Sequence, residues 1–311
     1  MRNPAIELYR IALMLGIVAL HTLQCAELGF SPLARWVEFC VDGFVFISGW
    51  YGIKFGWTKL LRLYGLALWC SAVYAIARRI CLEPGPLAFG GLISEIVHRA
   101  GGYWFVNAYA VLMCFAPIVN AAFEARQTRR IFVPILFVAF GWSFACMVPG
   151  VKGWLPAAAG FGSHTVGTLL GVYVVARMAR LDRWDEKLSG WQLVLMLALL
   201  SALAVCNLNK YNSPVAVLLG GVLFILFGRL RMDKTSRLSA LILKVSPSML
   251  AVYLLHGCGA DFVFVRSLLS RFESPWLSVL IGISAIFATC VLIDLLRRLT
   301  LAMTEVLWRK R

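Results

Sequence analysis

About ten apolar runs, most of them near membrane length and separated by short basic connections, leave this 311-residue chain few ways to fold. They fall at 5–23, 33–53, 60–77, 104–123, 131–149, 155–176, 191–208, 214–228, 247–265 and 276–296. Inside a bilayer no water satisfies backbone N–H and C=O groups, so runs of this length close their hydrogen bonds internally as helices. With 61% hydrophobic and 14% charged residues, no polar stretch is long enough for a separate soluble domain. The expectation is an all-α, polytopic integral membrane protein of about ten helices, forming one domain over residues 1–311. The eighth run is short, and the second and tenth contain acids, which makes these three the weakest spans.

The formal charge of +15 does not point to nucleic acid, because Lys and Arg sit in short clusters between apolar runs. They are concentrated in alternate connections, a bias that places both termini in the cytoplasm. The nine cysteines lack metal-ligand spacing, and Cys40, Cys70, Cys114, Cys146, Cys206 and Cys290 read as small buried hydrophobes. No metal is expected. The start superficially resembles a signal peptide, with Arg2, an apolar core and Cys25, but Glu7 and Arg10 interrupt it and no cleavage is expected. In the long connection 78–102, Leu92, Ile93, Ile96 and Val97 could form a short interfacial helix, and the paired glycines could let it re-enter the protein. No internal repeat is visible, so a transporter built from inverted halves gains no support.

The first run, ELYRIALMLGIVALH at 7–21, carries residues that lipid tolerates poorly. Arg10 and His21 lie eleven helical steps apart, a rotation of about 1100°, within about 20° of three full turns. They therefore share a face, about 16 Å apart along the axis. An arginine there either snorkels or pairs with Glu7, or it clamps a phosphate, for which guanidinium is suited. His21 alone reads as a core residue; on one face with Arg10 it becomes a candidate general base.

In the second run, Asp42 either orients His21 or forms half of a structural ion pair. Ser48 is a possible acyl acceptor, although Ser48-Gly49 reads better as a close helix contact with one hydrogen bond. Lys54, Lys59 and Arg62 follow as a basic cytoplasmic cluster. Asn107 lies just inside an aromatic belt at the start of the fourth run. Late in the chain, Tyr253 and His256 share a face, with Asp261 beyond, and His256 reads as structural glue. Gly160, Gly162, Gly167 and Gly171 suggest a close-packing face in the sixth run.

Taken in order, these residues resemble a known family. Arg10 with ten residues before His21, FVFISGWY at 44–51, KLLR at 59–62, YWFVNAY at 103–109 and YLLH at 253–256 are similar to the membrane-bound acyltransferase family 3. The resemblance runs from Asn3 to about Gly257. It implies a bacterial inner-membrane enzyme that moves an acyl group, often acetyl, from cytoplasmic acyl-CoA to a hydroxyl of a cell-surface carbohydrate or lipid-linked saccharide precursor. Carried over by position, Arg10 and Arg62 would engage the CoA, with Lys59 in the same basic cluster, and His21 would act at the transfer centre. Leu63-Tyr64 follows Arg62 where many relatives have a nearby proline. No hydrolase-like domain is expected after the last helix, nor a relay to a fused partner.

The sequence therefore leads to an acyl-CoA-dependent O-acyltransferase with membrane lipid around it, His21 and Asp42 as catalytic candidates, and Arg10, Lys59 and Arg62 at the donor. The alternative is a transporter or flippase for an anionic or saccharide substrate, in which Arg10, Asp42 and His21 would line the path.

Overall fold

The computed structural model describes residues 2–81, 89–124, 130–134, 136, 166–208, 213–256, 266, 269–270 and 274–309. Among these residues the regular structure is helical throughout and contains no strand. Helix α1 spans Pro4–Cys25, α2 Pro32–Val37, α3 Cys40–Tyr51, α4 Trp57–Cys81, α5 Phe89–Gly101 and α6 Trp104–Glu124. Residues 130–134 and 136 are helical, and later in the chain come α7 (Val166–Leu181), α8 (Trp184–Lys187), α9 (Gly190–Leu203) with a π turn at Ala204–Leu208, and α10 (Pro214–Gly228). The last are α11 (Arg237–Val245), a 3-10 turn at Ser246–Ser248, α12 (Met249–Leu255) and α13 (Pro275–Arg309).

Five of these helical stretches are long and apolar enough to cross a membrane: Pro4–Cys25, Trp57–Cys81, Trp104–Glu124, Arg237–Leu255 and Pro275–Met303. Two shorter apolar stretches, Gly190–Cys206 and Pro214–Gly228, match the seventh and eighth expected runs. Most of the fifth run, the start of the sixth and the end of the ninth lie outside the described residues, with Cys146, Gly160, Gly162 and Asp261.

Local chemistry explains the helix ends. Asn3 caps α1, its side chain accepting from the Ala5 N–H at 3.0 Å, with Pro4 behind it in the first turn. At the other end Leu28 N–H reaches the Leu23 carbonyl at 2.8 Å while Glu27 takes a left-handed φ of 61°. This is a Schellman stop built without the usual glycine. Ser31, Ser189, Ser213 and Ser236 cap α2, α9, α10 and α11 in the same manner as Asn3.

Three expectations need correction. The second run is not one helix: a turn at Glu38 and Phe39 divides α2 from α3, so Asp42 sits in the first turn of α3 rather than mid-span. The ninth run begins earlier, at Arg237, because the Ser246-Pro247-Ser248 turn tightens the helical path without ending it. Cys114 and Cys206 are exposed, whereas Cys40, Cys70 and Cys290 are buried; an apolar run in a bundle has an outer face as well as a core.

The described contacts form two compact units. The first comprises 1–29, 64–103 and 233–311. In it α1 packs against α11, α12 and α13. Glu95 on α5 bridges Arg78 and Arg79 near the end of α4, and the Arg99 guanidinium lies 3.7 Å from the Tyr74 ring centre. The paired Gly90 and Gly91 thus open a regular amphipathic helix. Asp294, fully buried on α13, is neutralised by Arg297 at 2.6 Å and Arg298 at 3.2 Å. Those two cations, read from sequence as topology signals, therefore also balance a buried acid.

The second unit comprises 30–63 and 104–232. Its centre is α3, held between α7 and α10 by small residues. A Cβ at Gly49 would lie 2.6 Å from the Tyr173 carbonyl oxygen and 2.7 Å from Ala176 Cβ. A Cβ at Gly220 would lie 3.3 Å from the Gly43 backbone. Such close backbone approach is how helices associate where no hydrophobic drive separates them from their surroundings.

Candidate active site

Helix α1 is unbroken from Pro4 to Cys25, so the Arg10–His21 register read from sequence is realised in one rigid element. Its packed face, with Tyr9, Leu13, Ile17 and Leu20 all buried, fixes the helix rotation and hence the direction of both side chains. Glu7 is 5% exposed and stands 3.7 Å from the Arg10 guanidinium, whose side chain is 36% exposed. The carboxylate lowers the cost of a cation on this face, and the guanidinium still has donors for an arriving anion.

Beside His21 the structure places a residue that sequence reading treated as glue. His21 Nδ1 lies 2.7 Å from His256 Nε2, with the two rings 5.0 Å apart and 25° from parallel. His256 Nδ1 in turn lies 2.7 Å from the Val252 carbonyl oxygen, one turn earlier on α12. His256 is 5% exposed, and the Tyr253 ring meets it edge-on at 6.1 Å. The Tyr103 hydroxyl donates to the Leu254 carbonyl at 2.9 Å, tying the end of α12 to the residue just before α6. No signal in the sequence links positions 21 and 256; only the YLLH motif draws attention to the second.

Asp42 is 1% exposed in the first turn of α3, where the helix dipole favours a carboxylate. Ser48 bonds the Phe44 carbonyl at 3.1 Å and the Tyr109 hydroxyl at 3.0 Å, and Asn107 lies in the first turn of α6.

The basic stretch after α3 is positioned by residues that sequence reading missed. Gly52 ends α3 with a φ of 76°, a conformation that favours glycine. The next residue is clamped on both sides: Ile53 N–H donates to the Tyr173 hydroxyl at 2.9 Å, and Asn120 Nδ2 donates to the Ile53 carbonyl at 3.0 Å. The Tyr173 hydroxyl closes the ring by donating to Asn120 Oδ1 at 2.8 Å. From this anchor the chain runs through Lys54 to the start of α4, where Lys59 donates to the Lys54 carbonyl at 2.9 Å. Lys54, Lys59 and Arg62 are all exposed. Cations at a helix N-terminus oppose the dipole, which makes this turn attractive to an anion such as a phosphate. Among the described residues no group of three His, Cys, Asp or Glu side chains could hold a metal ion.

Comparison with curated proteins and with solved structures found no match. A family model described as an acyltransferase domain matches residues 3–295, nearly the whole chain. On that coverage, and with five helices of membrane-spanning length, the chain belongs to acyltransferase family 3, membrane enzymes that transfer acyl groups.

Proposed function

We propose that this protein transfers an acyl group, acetyl in the simplest case, from cytoplasmic acyl-CoA to a hydroxyl of a cell-surface carbohydrate or lipid-linked saccharide precursor. Residues 1–311 act as one domain with about ten spans in a bacterial inner membrane, both termini in the cytoplasm. The observation that carries the reading is the single face of α1, with a guanidinium and an imidazole about 16 Å apart. That separation lets Arg10 hold a phosphate of CoA while the pantetheine arm carries the thioester toward His21.

The chemistry then needs one base. His21 takes the proton of the acceptor hydroxyl as its oxygen attacks the thioester carbonyl carbon. The new C–O bond forms, the C–S bond breaks, and His21 returns the proton to the departing CoA sulfur. Lys59 and Arg62 contribute to donor binding through their charge at the start of α4. Asp42, a buried carboxylate, is the second catalytic candidate.

Release of CoA thiol by purified protein in nanodiscs, with acetyl-CoA and a crude surface-glycan extract, tests this reading. His21→Ala should lower kcat by about 10²–10⁴-fold, the usual worth of a general base. Arg10→Ala should raise the acetyl-CoA KM by about 10- to 100-fold, matching about 1.5–3 kcal/mol for a charge-assisted contact. Turnover unchanged in both variants would overturn the site assignment, and no thiol release by wild type with any acyl donor would overturn the function.

A further inference from the structure

The hydrogen-bond geometry at the end of α12 points to His256 as the residue that fixes the tautomer of His21 and aims its basic nitrogen. This inference rests on His21 being the base in acyl transfer and adds to it a positioning partner 235 residues away in sequence.

The order of hydrogens is set at the Val252 carbonyl. A carbonyl oxygen only accepts, so the His256 nitrogen 2.7 Å from it, Nδ1, carries a hydrogen. In a neutral imidazole the other nitrogen is then an acceptor, and that nitrogen, Nε2, faces His21. His21 Nδ1, 2.7 Å away, must therefore be the donor. With its hydrogen on Nδ1, neutral His21 carries its lone pair on Nε2, the nitrogen able to take a proton from a hydroxyl.

The surroundings hold this order in place. The Val252 carbonyl also accepts the His256 backbone N–H at 3.1 Å, so the imidazole is tied to its own helix turn. Tyr253 packs edge-on against the ring and limits its rotation. His256 sits at the C-terminal end of the helical stretch Arg237–Leu255, where the dipole favours positive charge. During transfer, the acceptor proton arrives on His21 Nε2 and the Nδ1 hydrogen stays in the bond to His256, which shares the positive charge. When His21 Nε2 gives its proton to the CoA sulfur, the pair returns to its starting arrangement. No proton is gained or lost by the protein.

The test combines spectroscopy with kinetics on the full chain in nanodiscs. The protein has four histidines, so 15N-histidine labelling gives few signals, and His21→Asn identifies those of His21. Wild type should show His21 with a protonated Nδ1 and an unprotonated Nε2. In His256→Phe, which removes the acceptor, His21 should move to the opposite tautomer or a mixture, with kcat reduced about 100-fold and the acyl-CoA KM within about twofold of wild type. His256→Gln, whose amide oxygen can still accept from Nδ1–H, should restore the tautomer and recover about tenfold of the lost kcat. The inference is overturned if wild-type His21 is protonated on Nε2, or if Phe and Gln variants are equally impaired with an unchanged tautomer. Absence of thiol release by wild type would instead remove the acyltransferase reading, while the spectra alone would decide the histidine pairing.

Discussion

At the scale of single residues, the connection between α10 and α11 offers a pH-dependent feature outside the apolar helices. Asp233 accepts from the Thr235 backbone N–H at 2.9 Å and from the Thr235 hydroxyl at 2.7 Å. Those bonds hold its carboxyl below the ordinary value of 3.8, the backbone donor contributing most. A depressed folded value means the stabilisation is present above that ordinary value and is lost as pH falls through the lower one. Thermal melts of wild type and Asp233→Asn should therefore differ by a constant small amount at neutral and mildly acidic pH. The difference should shrink only below the ordinary carboxylate range. A gap that widens on acidification would contradict the assignment.

At the scale of elements, the ring formed by Ile53, Tyr173 and Asn120 joins α6 and α7 to the chain leaving α3. Its energetic role is asymmetric. Tyr173→Phe keeps the aromatic packing but leaves the half-buried Ile53 N–H without its acceptor, a loss of about 1 kcal/mol, the low end of the range for a donor cut off from water. Because Lys54 and Lys59 follow directly, the variant should weaken acetyl-CoA binding several-fold while kcat at saturating donor stays near wild type. A fall in kcat with unchanged KM would show that this ring supports the transfer centre rather than the donor. The packing of α3 is a separate matter, set by Gly49 against the Tyr173 backbone and Gly43 against Gly220.

At the scale of the whole molecule, the charge bias of the connections predicts a topology that reporter fusions can test. Reporter fusions after residues 229 and 311 should report the cytoplasm, and one within 82–88 the opposite side. A C-terminal reporter outside the cytoplasm would mean an odd number of spans. Many apolar side chains on the outer faces are exposed, among them Ile118, Leu199, Leu280 and Leu296. In water such surface would aggregate; against lipid it needs no cover.

Helical class, the register of Arg10 and His21, and the bounds of α6 and α10 were legible in the sequence, because each depends on residues within a few turns of one another. Apolar length, a serine or asparagine cap and the 3.6-residue period act locally, and nothing elsewhere in the chain can alter a rotation of eleven steps along one helix. The break at Glu38 and Phe39 was hidden, since an apolar run reads the same whether it is one helix or two. The Tyr173–Asn120 clasp and the partner of His21 were equally invisible. Both join residues separated by many tens of positions, and a hydrogen bond across such a separation is set by how whole helices pack. Sequence alone thus placed a cation and an imidazole on one face of α1; only the packing of α12 beside it decided which nitrogen of His21 meets His256.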